Sequence, residues 1–107
     1  MYQQGIVPEY LYKIVSEEDW KKSKLENMVV KSAMDKEFIH LATKEQLASV
    51  TKKFWENQCY IILKLDVKQL SGRLIQEKNP GGTTLYYHLY EGNIPLDAVV
   101  VIKEIPN

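Results

Sequence analysis

Apolar positions along this chain fall into short runs of strand-like composition more often than into helical stripes. Tyr10 to Val15 (Tyr-Leu-Tyr-Lys-Ile-Val) is aromatic and β-branched and follows Pro8, which has no N–H for a ladder, so it predicts a first strand. Ser16, with Asp19 three positions on, predicts a short capped helix to about Lys22, with Trp20 anchoring it to the core. From Ser23 to Lys36, Leu25, Met28, Val29, Val30 and Met34 are scattered among polar residues with no winning period, which reads as a long, partly ordered connection. Phe38 to Leu41 reads as a short strand, and Thr43 with Gln46 forms a second capping box. Leu47, Val50 and Phe54 then recur at helical spacing opposite Lys44, Glu45, Lys52 and Lys53. This predicts an amphipathic helix to about Trp55 whose stripe needs a sheet.

Tyr60 to Asp66 carries the strongest strand signal and predicts a central strand covered on both faces. Val67 to Leu70 predicts one helical turn closed by Gly72, and Arg73 to Glu77 another strand. Asn79-Pro80-Gly81-Gly82 breaks the chain, Leu85 to Tyr90 is extended, Glu91-Gly92-Asn93 turns, and Ala98 to Glu104 is a terminal strand. Two helices and about five strands without regular alternation point to an α+β fold, one small domain over residues 1–107.

Charge and cysteine content narrow the function classes. Fourteen Lys plus Arg against fourteen Asp plus Glu leave no net charge, hence no basic footprint for nucleic acid or an anionic membrane. A single cysteine, Cys59, excludes an internal disulfide framework and a multi-thiolate zinc site, and fits a reducing compartment, with the cytoplasm the expected location. Met1 to Gln4 do not open a basic-then-apolar leader, and no apolar run approaches the roughly 20 residues of a membrane span.

Chemistry concentrates around two histidines. In Phe38-Ile39-His40-Leu41, strand alternation turns His40 away from Ile39 and Leu41, either to line a pocket or to sit hydrogen-bonded in a half-buried strand. His88, in Tyr86-Tyr87-His88-Leu89-Tyr90, presents the same choice, and Tyr90 shares its face. The two imidazoles could converge on one hollow, where acid–base work or ligand binding suits them. Without Asp, Glu or Cys at ligand spacing, they do not predict a metal site. Glu77 and Arg73 either face one cleft or form an edge-strand ion pair. The Asn79 to Thr84 stretch supplies free amides for an anion nest or a plain hairpin connection, and lacks a Walker or dinucleotide fingerprint.

Tyr10-Leu11-Tyr12-Lys13-Ile14, Trp20, Phe38-Ile39-His40-Leu41-Ala42-Thr43, Glu77, His88-Leu89-Tyr90 and Ile94-Pro95-Leu96-Asp97-Ala98-Val99 together resemble the bacterial family called domain of unknown function 952 over nearly the whole chain. The resemblance implies a compact α+β fold of the ADP-ribosyltransferase type, in which a split, bent, mostly antiparallel sheet holds NAD in a central cleft. It implies ligand-binding roles for Tyr12, Lys13, His40, Thr43, Arg73, His88 and Tyr90, and catalytic roles for Glu77, His40 and His88, with Glu77 as the glutamate that stabilises an oxocarbenium ion. The chain departs from the family pattern in Lys13, where many relatives have histidine, in Ala42 for serine, in Tyr86-Tyr87 for Phe-Pro, and in a longer turn after Tyr90. A lysine is a point charge and does not copy imidazole geometry. The expectation is therefore a small-molecule site for a nucleotide or similar phosphorylated compound, with NAD as substrate or ligand. The alternative is a non-catalytic ligand-binding or protein-interaction module that keeps the fold; no oligomeric state follows.

Overall fold

The computed structural model describes residues 7–107, so the stretch Met1 to Gln4, on which the expectation about a leader rested, lies outside the described residues. It contains six strands rather than about five: β1 (Tyr10–Val15), β2 (Ile39–Leu41), β3 (Tyr60–Asp66), β4 (Arg73–Lys78), β5 (Leu85–Tyr90) and β6 (Val99–Ile105). Two helices, α1 (Glu17–Glu26) and α2 (Leu47–Phe54), interrupt them. The strands form two three-stranded sheets, β1-β3-β6 and β2-β5-β4, with every pairing antiparallel. Among the described residues the backbones of the two sheets are joined by one bridge: Tyr12 N–H donates to the Ala42 carbonyl at 2.8 Å and Ala42 N–H returns a bond to the Tyr12 carbonyl at 2.9 Å.

One core joins both sheets. Leu11 and Val15 of β1 and Ile61, Leu63 and Leu65 of β3 cluster with Ile39, Leu41, Leu74, Tyr87 and Leu89 of the second sheet, with Trp20 of α1 in the same cluster. Strand β3 is central, as its composition predicts, yet its burial alternates: Ile61, Leu63 and Leu65 are buried while Tyr60, Ile62 and Lys64 are half-buried. The expectation of cover on both faces is therefore corrected. An antiparallel sheet needs only one face on the core, and apolar residues on the other face do not require a second layer.

The connection after α1 is better ordered than its irregular pattern suggests. Ser16 Oγ accepts the Asp19 N–H at 3.0 Å, as the capping pattern predicts. The helix then runs past Lys22 to Glu26 and stops at Asn27, in the left-handed region at φ 59°. Buried Ser23 ties the last turns of the helix to the connection: its hydroxyl donates to the Asp19 carbonyl at 2.8 Å and accepts the Val30 N–H at 2.9 Å. Val29 is buried and donates its N–H to the Ile94 carbonyl at 2.9 Å, so the connection is pinned to the body at both places.

At α2 the capping geometry also holds, Thr43 N–H donating to Gln46 Oε1 at 3.0 Å, but the first turn is 3-10 (Lys44–Gln46). No residue of α2 is fully buried and Phe54 stays 46% exposed. The predicted apolar stripe is thus only half covered, because the inner faces of the two sheets cover one another. Strand β6 is an edge whose Val100, Val101 and Ile102 are all exposed.

The loops flanking β4 and β5 meet at two glycines. Gly72 adopts φ 110°, and a Cβ on Gly92 would stand 1.8 Å from the Ser71 carbonyl oxygen and 2.8 Å from Gly72 Cα. Only two bare backbones can pass this closely. Replacing Gly92→Ala is expected to lower stability by about 1–3 kcal/mol or more, read as the midpoint of urea unfolding. An unchanged midpoint would mean that the loops separate freely.

Candidate functional site

The site begins with register. In the β2–β5 ladder His40 stands directly opposite His88, and the pleat turns both away from the core that Ile39, Leu41, Tyr87 and Leu89 enter. Their ring centroids are 5.5 Å apart. The β4–β5 register brings Arg73 opposite Tyr90, Ile75 opposite His88 and Glu77 opposite Tyr86, so Arg73, Glu77 and Tyr90 share this face. Phe38, just before β2, stacks on His88 at 3.9 Å and 19° between planes, with its centroid 4.8 Å from His40 and 5.1 Å from Tyr90.

His40 is held from behind by a carboxylate. Asp35 Oδ1 accepts the His40 backbone N–H at 3.1 Å and lies 2.9 Å from Nδ1 of the same residue. Its Oδ2 accepts Lys13 Nζ at 2.8 Å and the N–H and hydroxyl of Ser32 at 3.0 and 3.1 Å. Burial alone would push the Asp35 carboxyl up, but the His40 hydrogen bond and the Lys13 charge outweigh it and hold the group well below the usual carboxylate range. Burial pulls Lys13 below its ordinary value, against the opposing pull of Asp35. The His40 side chain is 34% exposed, and Nε2 has no hydrogen-bond partner among the described residues.

His88 is different in kind. It is fully buried, with Nδ1 2.7 Å from Glu77 Oε2 and Nε2 2.8 Å from Asn79 Oδ1. Either end of the Asn79 amide can satisfy Nε2. Glu77 Oε2 also accepts a hydrogen bond from the Tyr90 hydroxyl. That bond first, and the His88 bond second, draw the Glu77 carboxyl below its ordinary value, while the same bond to Glu77 raises the Tyr90 phenol. Glu77 remains 35% exposed, and its Oε1 is unengaged among the described residues.

The structure thus brings His40, His88, Glu77 and Tyr90 together and leaves other expected residues apart. Lys13, read as a ligand-binding charge, is 4% exposed and committed to Asp35 and to the His40 carbonyl at 3.2 Å, so it is corrected to an internal counter-charge. Tyr12 follows the pleat to the face opposite Lys13 and enters the site only through its backbone bridge to Ala42. Thr43 caps the 3-10 turn. Arg73 pairs with Glu91 at 3.0 Å and lies 5.3 Å from the Tyr90 ring. The Asn79 to Gly82 stretch forms a hairpin turn, Gly82 N–H donating to the Asn79 carbonyl at 2.9 Å, and its Asn79 side chain serves His88. Sequence reasoning missed Asp35, Phe38 as a stacking ring, and Asn79. The available signal for Asp35 was Lys13 itself, since a cation in an apolar strand requires a buried partner.

Two surface clefts lie elsewhere, one of about 270 Å³ between Trp55, Tyr60 and Asn107, and one of about 210 Å³ beside Leu70 and Leu74. Among the described residues no group of three or more His, Cys, Asp or Glu could hold a metal ion, and no helix is long and apolar enough to cross a membrane.

Fold and site define a small α+β protein with paired antiparallel sheets and a histidine pair on the outer face of one of them. The chain belongs to the family described as Protein of unknown function (DUF952), whose profile matches residues 14–102. It is similar to the crystal structure of protein CC0527 from Caulobacter crescentus, at 28% identity and a TM-score of 0.76, over 89% of this chain and 84% of that one. A double mutant of CC0527 gives the same values. The solution structure of CC0527 matches at 24% identity and a TM-score of 0.70, over 92% of this chain and 86% of that one. No curated protein matches the chain.

Both site carboxyls titrate below their ordinary values in the folded chain, so each contributes stability that is present above about pH 4 and lost as pH falls through its folded value. Urea unfolding at a series of pH values should show stability falling on acidification below about pH 4, and a shallower fall for Asp35→Asn. Asp35→Ala is expected to cost about 3–5 kcal/mol at neutral pH, because it strands Lys13 unpaired in the interior. A loss below about 1 kcal/mol would show the pair to be solvated.

Proposed function

We propose that the outer face of the β2-β5-β4 sheet binds a nucleotide or similar phosphorylated small molecule and performs NAD-dependent transferase chemistry, on a fold of the ADP-ribosyltransferase type. The observation that carries this reading is a pair of open atoms on one face. Among the described residues His40 Nε2 and Glu77 Oε1 each have no partner while the rest of their side chain is anchored, by Asp35 in one case and by His88 and Tyr90 in the other. A fixed carboxylate with one free oxygen suits a developing positive charge at a ribose carbon, and a fixed imidazole with one free nitrogen suits an acceptor hydroxyl. In such a transfer the C–N bond to nicotinamide breaks with its electron pair going to the leaving ring. The acceptor oxygen bonds to carbon, and its proton passes to His40. Two sheets joined at a single bridge are compatible with the split sheet of that fold.

A second reading, a binding module without chemistry, is favoured by the commitment of Lys13: it is buried against Asp35, so the cation that stands where many relatives have histidine is not available to a ligand. Incubation with NAD separates the two. The first reading expects nicotinamide release, reduced about a hundredfold or more in His40→Ala and in Glu77→Gln. The second expects no product, but stabilisation by about 2.7 kcal/mol at ligand concentrations near a hundred times Kd. Full turnover in both variants would remove the assigned roles.

A further inference from the structure

We propose that Asp35 is a positioning residue that locks His40 as the Nδ1–H tautomer, making Nε2 the proton acceptor of this face. One oxygen, Asp35 Oδ1, takes both the backbone N–H and the ring Nδ1 of His40, at 3.1 and 2.9 Å, which fixes the ring relative to its own main chain. The other oxygen is tied by Lys13 and twice by Ser32, so the carboxylate has no freedom to turn. The Asp35 side chain is fully buried, out of contact with bulk solvent. An ionised carboxylate only accepts, so Nδ1 must donate, and in the neutral ring the lone pair then lies on Nε2, away from the buried carboxylate.

His88, the other histidine of the chain, has both ring nitrogens engaged and no exposure, which leaves His40 as the imidazole able to receive a proton. Lys13 completes the device, compensating the Asp35 charge and bonding the His40 carbonyl at 3.2 Å. The inference rests on the reading of this face as the reactive site and adds how His40 is made ready for the acceptor O–H: Asp35 fixes which ring nitrogen receives it. Its proton moves to Nε2 while the Nδ1 proton stays on the ring facing Asp35, so the imidazolium formed lies against a carboxylate already in place.

The test needs no substrate. In protein labelled with ¹⁵N at histidine, at mildly alkaline pH, His40 should show a protonated-type Nδ1 signal and an unprotonated-type Nε2 signal. Diethyl pyrocarbonate, which acylates a free ring nitrogen, should modify His40 in preference to His88. In Asp35→Asn the two His40 nitrogen signals should move toward one another while those of His88 stay, and Asp35→Glu should restore part of the separation. A wild-type His40 protonated on Nε2, or one unchanged in Asp35→Asn, overturns the proposal. If Asp35→Asn does not fold, the wild-type spectrum decides alone. An Nδ1–H ring in a protein that releases no nicotinamide leaves this inference standing and removes only the NAD reading.

Discussion

The buried carboxylate of Asp35 receives hydrogen bonds from three separate stretches: Lys13 on β1, Ser32 in the long connection and His40 on β2. These are the parts that must agree if the two sheets are to meet: besides the shared apolar core, the Tyr12–Ala42 bridge is the backbone contact that joins them among the described residues. Burying an ion pair gains little stability over an apolar pair of the same shape, because desolvation consumes much of the Coulomb attraction. What the pair does secure is geometry. It fixes where the connection ends, where β2 begins and how the His40 ring is turned.

From that point the outer face is set by register. A slip of one residue between β2 and β5 would send His40 into the core and Ile39 or Leu41 outward, so the apolar alternation of both strands enforces the histidine pair. The two carboxylates of the site then divide the work by environment. Asp35, fully buried and held by Lys13, Ser32 and His40, is structural and directs a ring; Glu77, a third exposed and bound on one oxygen only, faces outward. In the proposed reading, contrasting surroundings of this kind separate a positioning carboxylate from a reactive one.

Strand positions were legible because aromatic and β-branched runs carry local information: Tyr10 to Val15, Tyr60 to Asp66 and Leu85 to Tyr90 lie where composition puts them. The helix caps at Ser16 and Thr43 were equally local. Facing direction was legible too, since alternation alone turns His40 away from Ile39 and places Tyr90 with His88. What was not legible depended on long-range partners. The Ser23 to Lys36 segment shows no period, because its order comes from Ser23, Ile94 and the Asp35 cluster rather than from a repeating pattern. Lys13 in an apolar strand signals that some buried partner exists, but nothing local identifies Asp35, 22 positions away, as that partner.

Whether the proposed face binds a ligand is decided by titrating ADP-ribose into isotope-labelled protein and following amide and imidazole shifts. The account predicts that Phe38, His40, Glu77 and Tyr90 respond together, with His40 foremost. A response confined to Trp55, Tyr60 and Asn107 around the larger cleft, with His40 unmoved, would contradict it.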